Sequence, residues 1–235
     1  MSPMSKVMAF FPASVGLLFL AAVTHALKNP SFLNVLLVPA TLYLYPLLSY
    51  RIHDFFFPIR EGKYNLSLSE YNAWWGGHQI QLIYYACPFL EAILRTVPGA
   101  FSLWLRAWGS SIGKDVYWTP NAEIDDRSLV KIGDGVVFGH KIEMISHVIA
   151  PKDGKLSLLS KAVVVGDKCF LGAGSRFGPG ATIEAGTALP ILSDIYINEV
   201  ISPDHDLKYV HPRFGARDLK EKESSLRKSS PEVTC

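Results

Sequence analysis

The sequence predicts a mainly β protein, a parallel β-helix of three to four coils, preceded by an α-helical, membrane-associated N-terminal region. Three observations support this. Residues 1–50 contain only two charged side chains, Lys6 and Lys28, and no acidic residue. A six-residue rhythm of apolar and small residues runs through residues 112–189. The chain of 235 residues is 49% hydrophobic and 19% charged, and its mean hydropathy of +0.20 is high for a soluble enzyme.

The composition excludes two broad classes of protein. The 23 basic and 21 acidic side chains leave a net charge of +2, too little for a nucleic-acid binder that works by bulk charge, and the apolar content is too high for a disordered chain. Cys87, Cys169 and Cys235 are odd in number and lack metal-ligand spacing. They indicate neither a disulfide framework nor a zinc knuckle, and a reducing compartment fits best.

Residues 1–58 are predicted to form a membrane helical hairpin. Residues 7–27 and 30–50 are uncharged and each is long enough to cross a hydrocarbon core of roughly 30 Å as a helix. The link of residues 28–30 is short, so the two helices should be antiparallel. Basic residues, among them Lys6 and Arg51, flank both ends. The positive-inside rule therefore favours a membrane protein whose β-helix faces the cytoplasm.

Three other interpretations of this segment stay open. A secretory signal peptide is weakly permitted by Lys6 and by the small residues near Ala22, but a second apolar stretch follows at once. A pair of re-entrant or interfacial helices would tolerate Pro39 and Pro46. The third interpretation is burial of the segment against a partner subunit.

Residues 59–109 are predicted to form amphipathic or interfacial helices. Ser67 and Glu70 have the spacing of a capping box, which would begin a helix at that point. The segment is rich in the aromatic residues that favour a membrane boundary: Trp74, Trp75, Tyr84, Tyr85, Trp104 and Trp108. A plain aromatic core explains these residues equally well.

The six-residue rhythm assigns the β-helix to residues 110–192, with a loop insertion at residues 150–162. The first place of each hexad is bulky and apolar: Ile112, Trp118, Ile124, Ile132, Phe138, Met144, Val165, Leu171, Phe177 and Ile183. The second place is often glycine, and the fifth is small or β-branched. Three short strands in each turn would form a triangular prism whose corners need tight turns and whose interior is filled by the aliphatic stack.

At these residues the chain resembles the hexapeptide-repeat acyltransferases. More narrowly, Trp104-Leu105-Arg106 with Gly109, then residues 132–135 and Ser146-His147-Val148, are similar to the acyltransferase-like terminal domains of some nonribosomal peptide synthetases. The resemblance implies a left-handed coil, acyl-coenzyme A as the donor, and usually a homotrimer with clefts between subunits. Those terminal domains also carry membrane helices beside their β-helices.

The resemblance implies a histidine general base on one of the coils, and two histidines are candidates. His147 stands in the fourth place of its hexad beside the insertion, and His140 is the second candidate. Counting back one coil predicts Arg127 beneath His147, and counting forward predicts Gly180 above it, which would leave room for a substrate. Glu143, Asp153 and backbone carbonyls are alternative acceptors that would orient the imidazole.

The resemblance further implies contacts with a coenzyme. Lys161 and Lys168 could meet its phosphates, as could Lys152 and Lys155 in the insertion, and the corner Gly172-Ala173-Gly174 would permit close approach of the pantetheine arm. A solvated loop explains the lysines equally well. No metal is expected, because His140 and His147 are seven residues apart and no third histidine lies within the coils.

Two function classes remain. The first is a membrane-associated acyltransferase that moves an acyl group, for example acetyl, from a coenzyme A or carrier-protein thioester to a hydroxyl or amine of a small-molecule or lipid-like acceptor. The second is a noncatalytic β-helix scaffold in a membrane-bound assembly. Residues 193–235 have mixed charge and little apolar content beyond their start, and they are predicted to form a strap followed by a disordered tail.

Overall fold

The structure, a computed structural model, describes residues 2–66, 70–152 and 154–204. The cap expected at Ser67, the carboxylate of Asp153 and the tail from residue 205 to Cys235 lie outside the described residues. The described part divides into an N-terminal group of helices and a group of short parallel strands. We describe the helices first, because they determine which face of the strand region is covered.

Three helices begin the chain: α1 (Pro3–Ala9), α2 (Phe11–Lys28) and α3 (Phe32–Phe56). Ser31 caps α3 by accepting a hydrogen bond from the Asn34 backbone N–H. The helices α2 and α3 pack against each other, with Ser14 and Tyr45 hydrogen bonded at 2.9 Å. By length and composition Pro3–Lys28 and Phe32–Phe56 are each apolar enough to cross a membrane.

The outer surfaces of α2 and α3 are apolar and exposed. Exposed residues include Leu17, Leu20, Leu27, Phe32, Leu33, Val35 and Phe55. An apolar surface of this extent on a soluble monomer is unusual. Membrane insertion of the hairpin stays a prediction, because length and composition alone also fit a signal sequence or a covered surface.

Residues 59–109 were expected to be helical throughout, but the structure shows a strand as well as helices in this segment. The segment contains a strand, β1 (Gly62–Leu66), and the helices α4 (Ala73–Ala86), α5 (Phe89–Arg95) and α6 (Ala100–Trp108). Helix α4 begins at Ala73, where Asn72 caps it by accepting the Trp75 backbone N–H at 3.3 Å, whereas the helix start expected at Ser67 lies outside the described residues. Glu70 precedes this cap and lies outside the helix. Aromatic side chains of α4 and α6 form a buried core, with Tyr84, Trp104 and Trp108 in mutual ring contact.

The remainder of the described chain is built from strands. Their bounds are β2 (Ser111–Ile112), β3 (Glu123–Ile124), β4 (Val130–Ile132), β5 (Val137–Phe138), β6 (Glu143–Met144), β7 (His147–Lys152), β8 (Lys155–Ser160), β9 (Val163–Val165), β10 (Phe170–Leu171), β11 (Arg176–Phe177), β12 (Thr182–Ile183), β13 (Ala188–Leu189), β14 (Asp194–Ile195) and β15 (Val200–Ile201). All except β1, β7 and β8 belong to three parallel sheets. The repeat therefore continues beyond residue 192, where we expected it to end.

The three parallel sheets have the orders β13-β10-β5, β14-β11-β6-β3 and β15-β12-β9-β4-β2. The chain thus visits each sheet in turn and pairs with its own previous pass, as Ile124 does with Met144 and Met144 does with Phe177. The apolar first places of the hexads are all buried, and Ile195 and Ile201 extend the stack. This pairing supports the expected parallel coil, and its left-handed sense stays a prediction.

The insertion is a hairpin rather than a loop, and it begins earlier than residue 150. β7 and β8 pair in antiparallel register from His147 with Ser160 to Lys152 with Lys155. β1 adds to the other edge of β8, with Gly62 opposite Ser160. The departure of the chain from the coil at His147 leaves that residue at the junction of hairpin and coil.

Candidate functional site

His147 is held by a carboxylate of the preceding coil. Its Nδ1 lies 2.7 Å from Asp126 Oδ2, and the Asp126 side chain is only 4% exposed. The other carboxylate oxygen accepts the indole N–H of Trp74 at 3.0 Å. Because a carboxylate only accepts hydrogen bonds, Nδ1 carries the proton of the neutral His147 ring and Nε2 carries the lone pair. Nε2 has no hydrogen-bond partner among the described residues.

The surroundings of His147 act on its pKa in opposite directions. Burial lowers the pKa, whereas the hydrogen bond to Asp126 and the charges of Asp126 and Asp125 raise it, and the net shift is upward. Burial and the neighbouring Asp126 raise the pKa of Asp125 to about 6. The imidazolium form of His147 is therefore stabilised, which is what a group that accepts a proton during reaction requires.

One face of α4 covers His147. Trp74, His78, Gln81 and Tyr85 recur at the three- and four-residue spacing of a helix face. The Trp74 ring lies 4.5 Å from the His147 ring between centroids and is stacked on His78 at 5.0 Å, and the rings of His78 and His147 meet edge to face at 5.8 Å. Helix α4 thus contributes to a site that the hexad repeat alone did not predict.

Asp126, which orients the imidazole, was not among the expected acceptors. It stands twenty-one residues before His147, one place from the position that the coil count gave for the residue beneath. Glu143 instead lies in β6, and its backbone N–H donates to Ser175. Asp126 is the one carboxylate within one place of the position given by the coil count, and this proximity is the signal in the sequence that could have identified it.

Arg127, the residue expected beneath His147, bonds to helix residues with its side chain and not to the imidazole. It is buried and forms two hydrogen bonds with Glu91 of α5, at 2.7 and 2.9 Å, while its backbone N–H donates to Gln81. Arg127 thus fastens α4 and α5 to the coil. The hydrogen bonds of Arg127 with Glu91 and Gln81 hold these helices against the coil next to the candidate site.

Gly180 does not lie above His147 as expected, because the hairpin displaces the count. The Gly180 N–H donates to the carbonyl of Lys161, the first residue after the hairpin. A Cβ added at Gly180 would lie 2.6 Å from Lys161 Cδ. The space above this glycine is therefore filled by the Lys161 side chain.

The predicted coenzyme-contacting residues are spread over separate corners of the coil. The Lys161 N–H donates to Ser146 next to His147, and Lys161 Nζ donates to Asn198 at 2.8 Å. Lys168 is exposed and stands on another corner, where its N–H donates to Asp134. Of Lys161 and Lys168, Lys161 is the one whose backbone adjoins the His147 site.

The exposed His140 lies on the same corner as the turn Gly172-Ala173-Gly174. The His140 carbonyl accepts the Gly174 N–H at 2.7 Å, and the Ala173 carbonyl accepts the Leu192 N–H at 2.8 Å. Gly174 has a φ of +72°, which favours glycine. The Gly174 N–H and the Ala173 carbonyl of this turn are thus already used in hydrogen bonds to the neighbouring coils.

A cleft of about 570 Å³ opens between α4, α5 and the first coil. Tyr85, Arg95, Asn121 and Asp125 contribute to its lining. His147 does not line it, but Asp125 is adjacent to Asp126 in sequence, and Tyr85 is 5.3 Å from His78 between ring centroids. The cleft is therefore next to the histidine site, with the Tyr85 ring between the cleft and His78.

A metal site is not apparent in the described ranges, which contain no group of three or more histidine, cysteine, aspartate or glutamate side chains arranged around an ion. Cys87 and Cys169 are free thiols. The candidate site is accordingly defined by His147, Asp126, Trp74 and His78.

No model of a protein family matches the sequence, and no curated protein matches it. Among solved structures, the fold is similar to a hexapeptide-repeat acetyltransferase of Vibrio cholerae complexed with acetyl coenzyme A (15% identity, 58% of this chain and 86% of that chain, TM-score 0.43). It is also similar to serine acetyltransferase isoform 3 of Entamoeba histolytica in complex with cysteine (12% identity, 81% of this chain and 67% of that chain, TM-score 0.29).

A third similar structure is a variant of an N-acyltransferase of Bacillus cereus, in complex with dTDP-4-amino-4,6-dideoxyglucose and coenzyme A. It is 17% identical over 55% of this chain and 96% of that chain, with a TM-score of 0.28. These structural neighbours are acetyltransferases and acyltransferases of the hexapeptide-repeat type.

Proposed function

We propose that this protein is a membrane-associated acyltransferase that moves an acyl group from a thioester to a hydroxyl or amine acceptor. The observation that carries the proposal is the pairing of His147 with Asp126 at a coil corner, with Nε2 of the imidazole unpaired among the residues that the structure describes. A histidine oriented by a carboxylate through one nitrogen is suited to take a proton at the other. The hexad repeat and its resemblance to acyltransferases supply the reaction class.

In this proposal His147 acts as the general base. Nε2 takes the proton of the acceptor hydroxyl or amine as the acceptor lone pair attacks the thioester carbonyl carbon. The C–S bond then breaks, and the thiolate takes the proton back from the imidazolium. Asp126 stabilises that imidazolium, because its charge and hydrogen bond favour the protonated ring. The thioester is already activated, so the transfer needs no covalent intermediate on the protein.

The donor we propose is acyl-coenzyme A or the thioester of a carrier protein. Lys161 is the best placed of the predicted phosphate contacts, since it directly follows the hairpin beside His147. Lys168 and the corner Gly172-Ala173-Gly174 would need a neighbouring subunit to bring them to a shared cleft. We therefore retain the homotrimer as part of the proposal.

The membrane is the third element of the proposal. Tyr50, near the end of α3, donates a hydrogen bond to Ser128 at 2.6 Å, two residues after Asp126. The site thus lies close to the end of the hairpin that would leave the membrane. A lipid-like acceptor, or a small molecule reaching the cleft from the cytoplasm, fits this position.

A thiol-release assay with acetyl-coenzyme A and a panel of amines and alcohols, on the full chain in detergent, tests the proposal. His147→Ala should lower turnover by about 10²-fold to 10⁴-fold, and His140→Ala should have a smaller effect. The opposite order would move the base to His140. Absence of both thiol release and acetyl-coenzyme A binding in the parent would favour the scaffold function instead.

A further inference from the structure

His78 presents an unexplained imidazole beside the proposed base. Its Nδ1 is enclosed by protein and makes no hydrogen bond with a described residue, and within that same part of the chain Nε2 makes none either. Buried side-chain nitrogens are nearly always paired, so an unpaired one requires an explanation. His78 lies among the rings of Trp74, Tyr85 and His147. A polar ring whose two nitrogens lack hydrogen bonds to the described residues is poorly suited to a purely structural role there.

The position of the His78 ring is fixed by its neighbours. It is stacked on Trp74 with an angle of 25° between the ring planes, and the rings of His147 and Tyr85 lie at 5.8 and 5.3 Å between centroids. Trp74 is itself held by its hydrogen bond to Asp126. The same carboxylate therefore positions both imidazoles, one directly and one through the indole.

The surroundings of His78 favour its neutral form with the proton on Nε2. Burial lowers the pKa of His78, and repulsion by a protonated His147 lowers it further. A neutral imidazole has one N–H donor and one lone pair. An orphaned buried N–H is rarer than an under-used acceptor, so the enclosed Nδ1 is the better place for the lone pair. Nε2 then carries the N–H.

We propose that His78 is a second catalytic residue, whose Nε2–H donates a hydrogen bond to the acyl carbonyl oxygen while His147 takes the acceptor proton. This inference rests on the proposed function. Attack by the acceptor forms a bond to the carbonyl carbon and moves the C=O electron pair onto oxygen, where His78 stabilises it. When the C=O bond re-forms, the C–S electrons leave with sulfur, which receives the proton from His147.

Three substitutions separate this role from packing. His78→Phe retains the stacked ring and removes the donor, and it should lower kcat by about 10²-fold to 10³-fold, as loss of one oxyanion donor does. KM for acetyl-coenzyme A should be nearly unchanged. His78→Gln places an amide N–H near the position of Nε2 and should recover part of kcat, whereas His78→Asn places it near Nδ1 and should not. The exposed His25 of α2 supplies the control His25→Phe.

A spectroscopic measurement reads the hydrogen bond itself. The ketone analogue of acetyl-coenzyme A, with CH₂ in place of sulfur and ¹³C at the carbonyl, binds without reacting. Its carbonyl resonance should move downfield on binding to the parent and His78→Gln proteins, and less on binding to His78→Phe. Thermal unfolding of each variant in detergent identifies those that merely lose their fold.

The outcomes distinguish this inference from the proposed function. Full kcat in a folded His78→Phe protein, with activity lost in His147→Ala, overturns the role of His78 and leaves the acyltransferase intact. Equal carbonyl shifts in the parent and His78→Phe overturn it as well, even if kcat falls. Failure of the parent to bind the analogue and to release thiol overturns both proposals.

Discussion

Neutralising Glu91 should destabilise the protein more than neutralising an exposed carboxylate of the same type. The Glu91 side chain is 5% exposed and the Arg127 side chain with which it pairs is 3% exposed. Glu91 also accepts the indole N–H of Trp104 at 2.9 Å. Glu91→Gln keeps the size of the side chain but leaves the Arg127 guanidinium buried without its close counter-charge.

The expected loss is about 3–5 kcal/mol, the usual cost of leaving one member of a buried ion pair uncompensated. For a protein of this length, each kcal/mol corresponds to roughly 2–4 °C in the melting temperature, so a shift of about 6–20 °C follows. Glu61 provides the matched control. Its side chain pairs with Lys131 at 2.9 Å but the two are 38% and 56% exposed, so Glu61→Gln should cost only about 0–1 kcal/mol.

Thermal unfolding in detergent, followed by the summed fluorescence of the five tryptophans, measures both losses. A second variant removes both members of the close pair: Glu91→Leu with Arg127→Met should regain part of the stability that Glu91→Gln loses, because Arg127 is no longer a buried charge without its partner. The recovery should be incomplete, since the buried Arg95 side chain, 4.0 Å from Glu91, still loses that carboxylate. A melting temperature for Glu91→Gln equal to that of Glu61→Gln would refute the reasoning. So would a double variant that loses at least as much as Glu91→Gln.

Three further outcomes are expected. Asp126→Asn should lower turnover and move the rising limb of the pH–rate profile to lower pH, because the carboxylate that raises the pKa of His147 is lost; an unmoved limb would contradict this. Alkaline carbonate washing should leave the protein in the membrane pellet, since residues 7–50 are the proposed anchor; release would indicate a peripheral or secreted protein. Light scattering in detergent should give a homotrimer, and a monomer would leave the proposed intersubunit cleft without one wall.

The coil could be predicted from the hexad pattern because the pattern depends only on residues close together in the sequence. Each buried first place, such as Phe138, Leu171 and Phe177, follows six residues after another apolar place or starts a new run. The interior of the coil could therefore be assigned by counting, without any knowledge of which strands meet. The same counting failed at Gly180, because a hairpin that interrupts the coil removes the constant spacing on which it depends.

The site itself combines segments that no local pattern connects. His147 was found through the resemblance, but Trp74 and His78 come from a helix more than sixty residues earlier in the sequence. Their spacing indicates only that they share a helix face, which a membrane boundary or an aromatic core would also explain. That face meets the coil through the hydrogen bonds of Trp74 with Asp126 and of Gln81 with Arg127. The pairing of residues fifty-two and forty-six apart leaves no signal in a single sequence.

The pairing of β1 with β8 has a consequence for the order in which the protein folds. Gly62 meets Ser160, so the strand pair closes a loop of nearly a hundred residues. Closing such a loop costs an entropy of about 4 kcal/mol from its length alone. β1 is synthesised well before its partner strand exists. Strand β1, which precedes the helix that begins at Ala73, would then reach its final place only after two coils and the hairpin have formed.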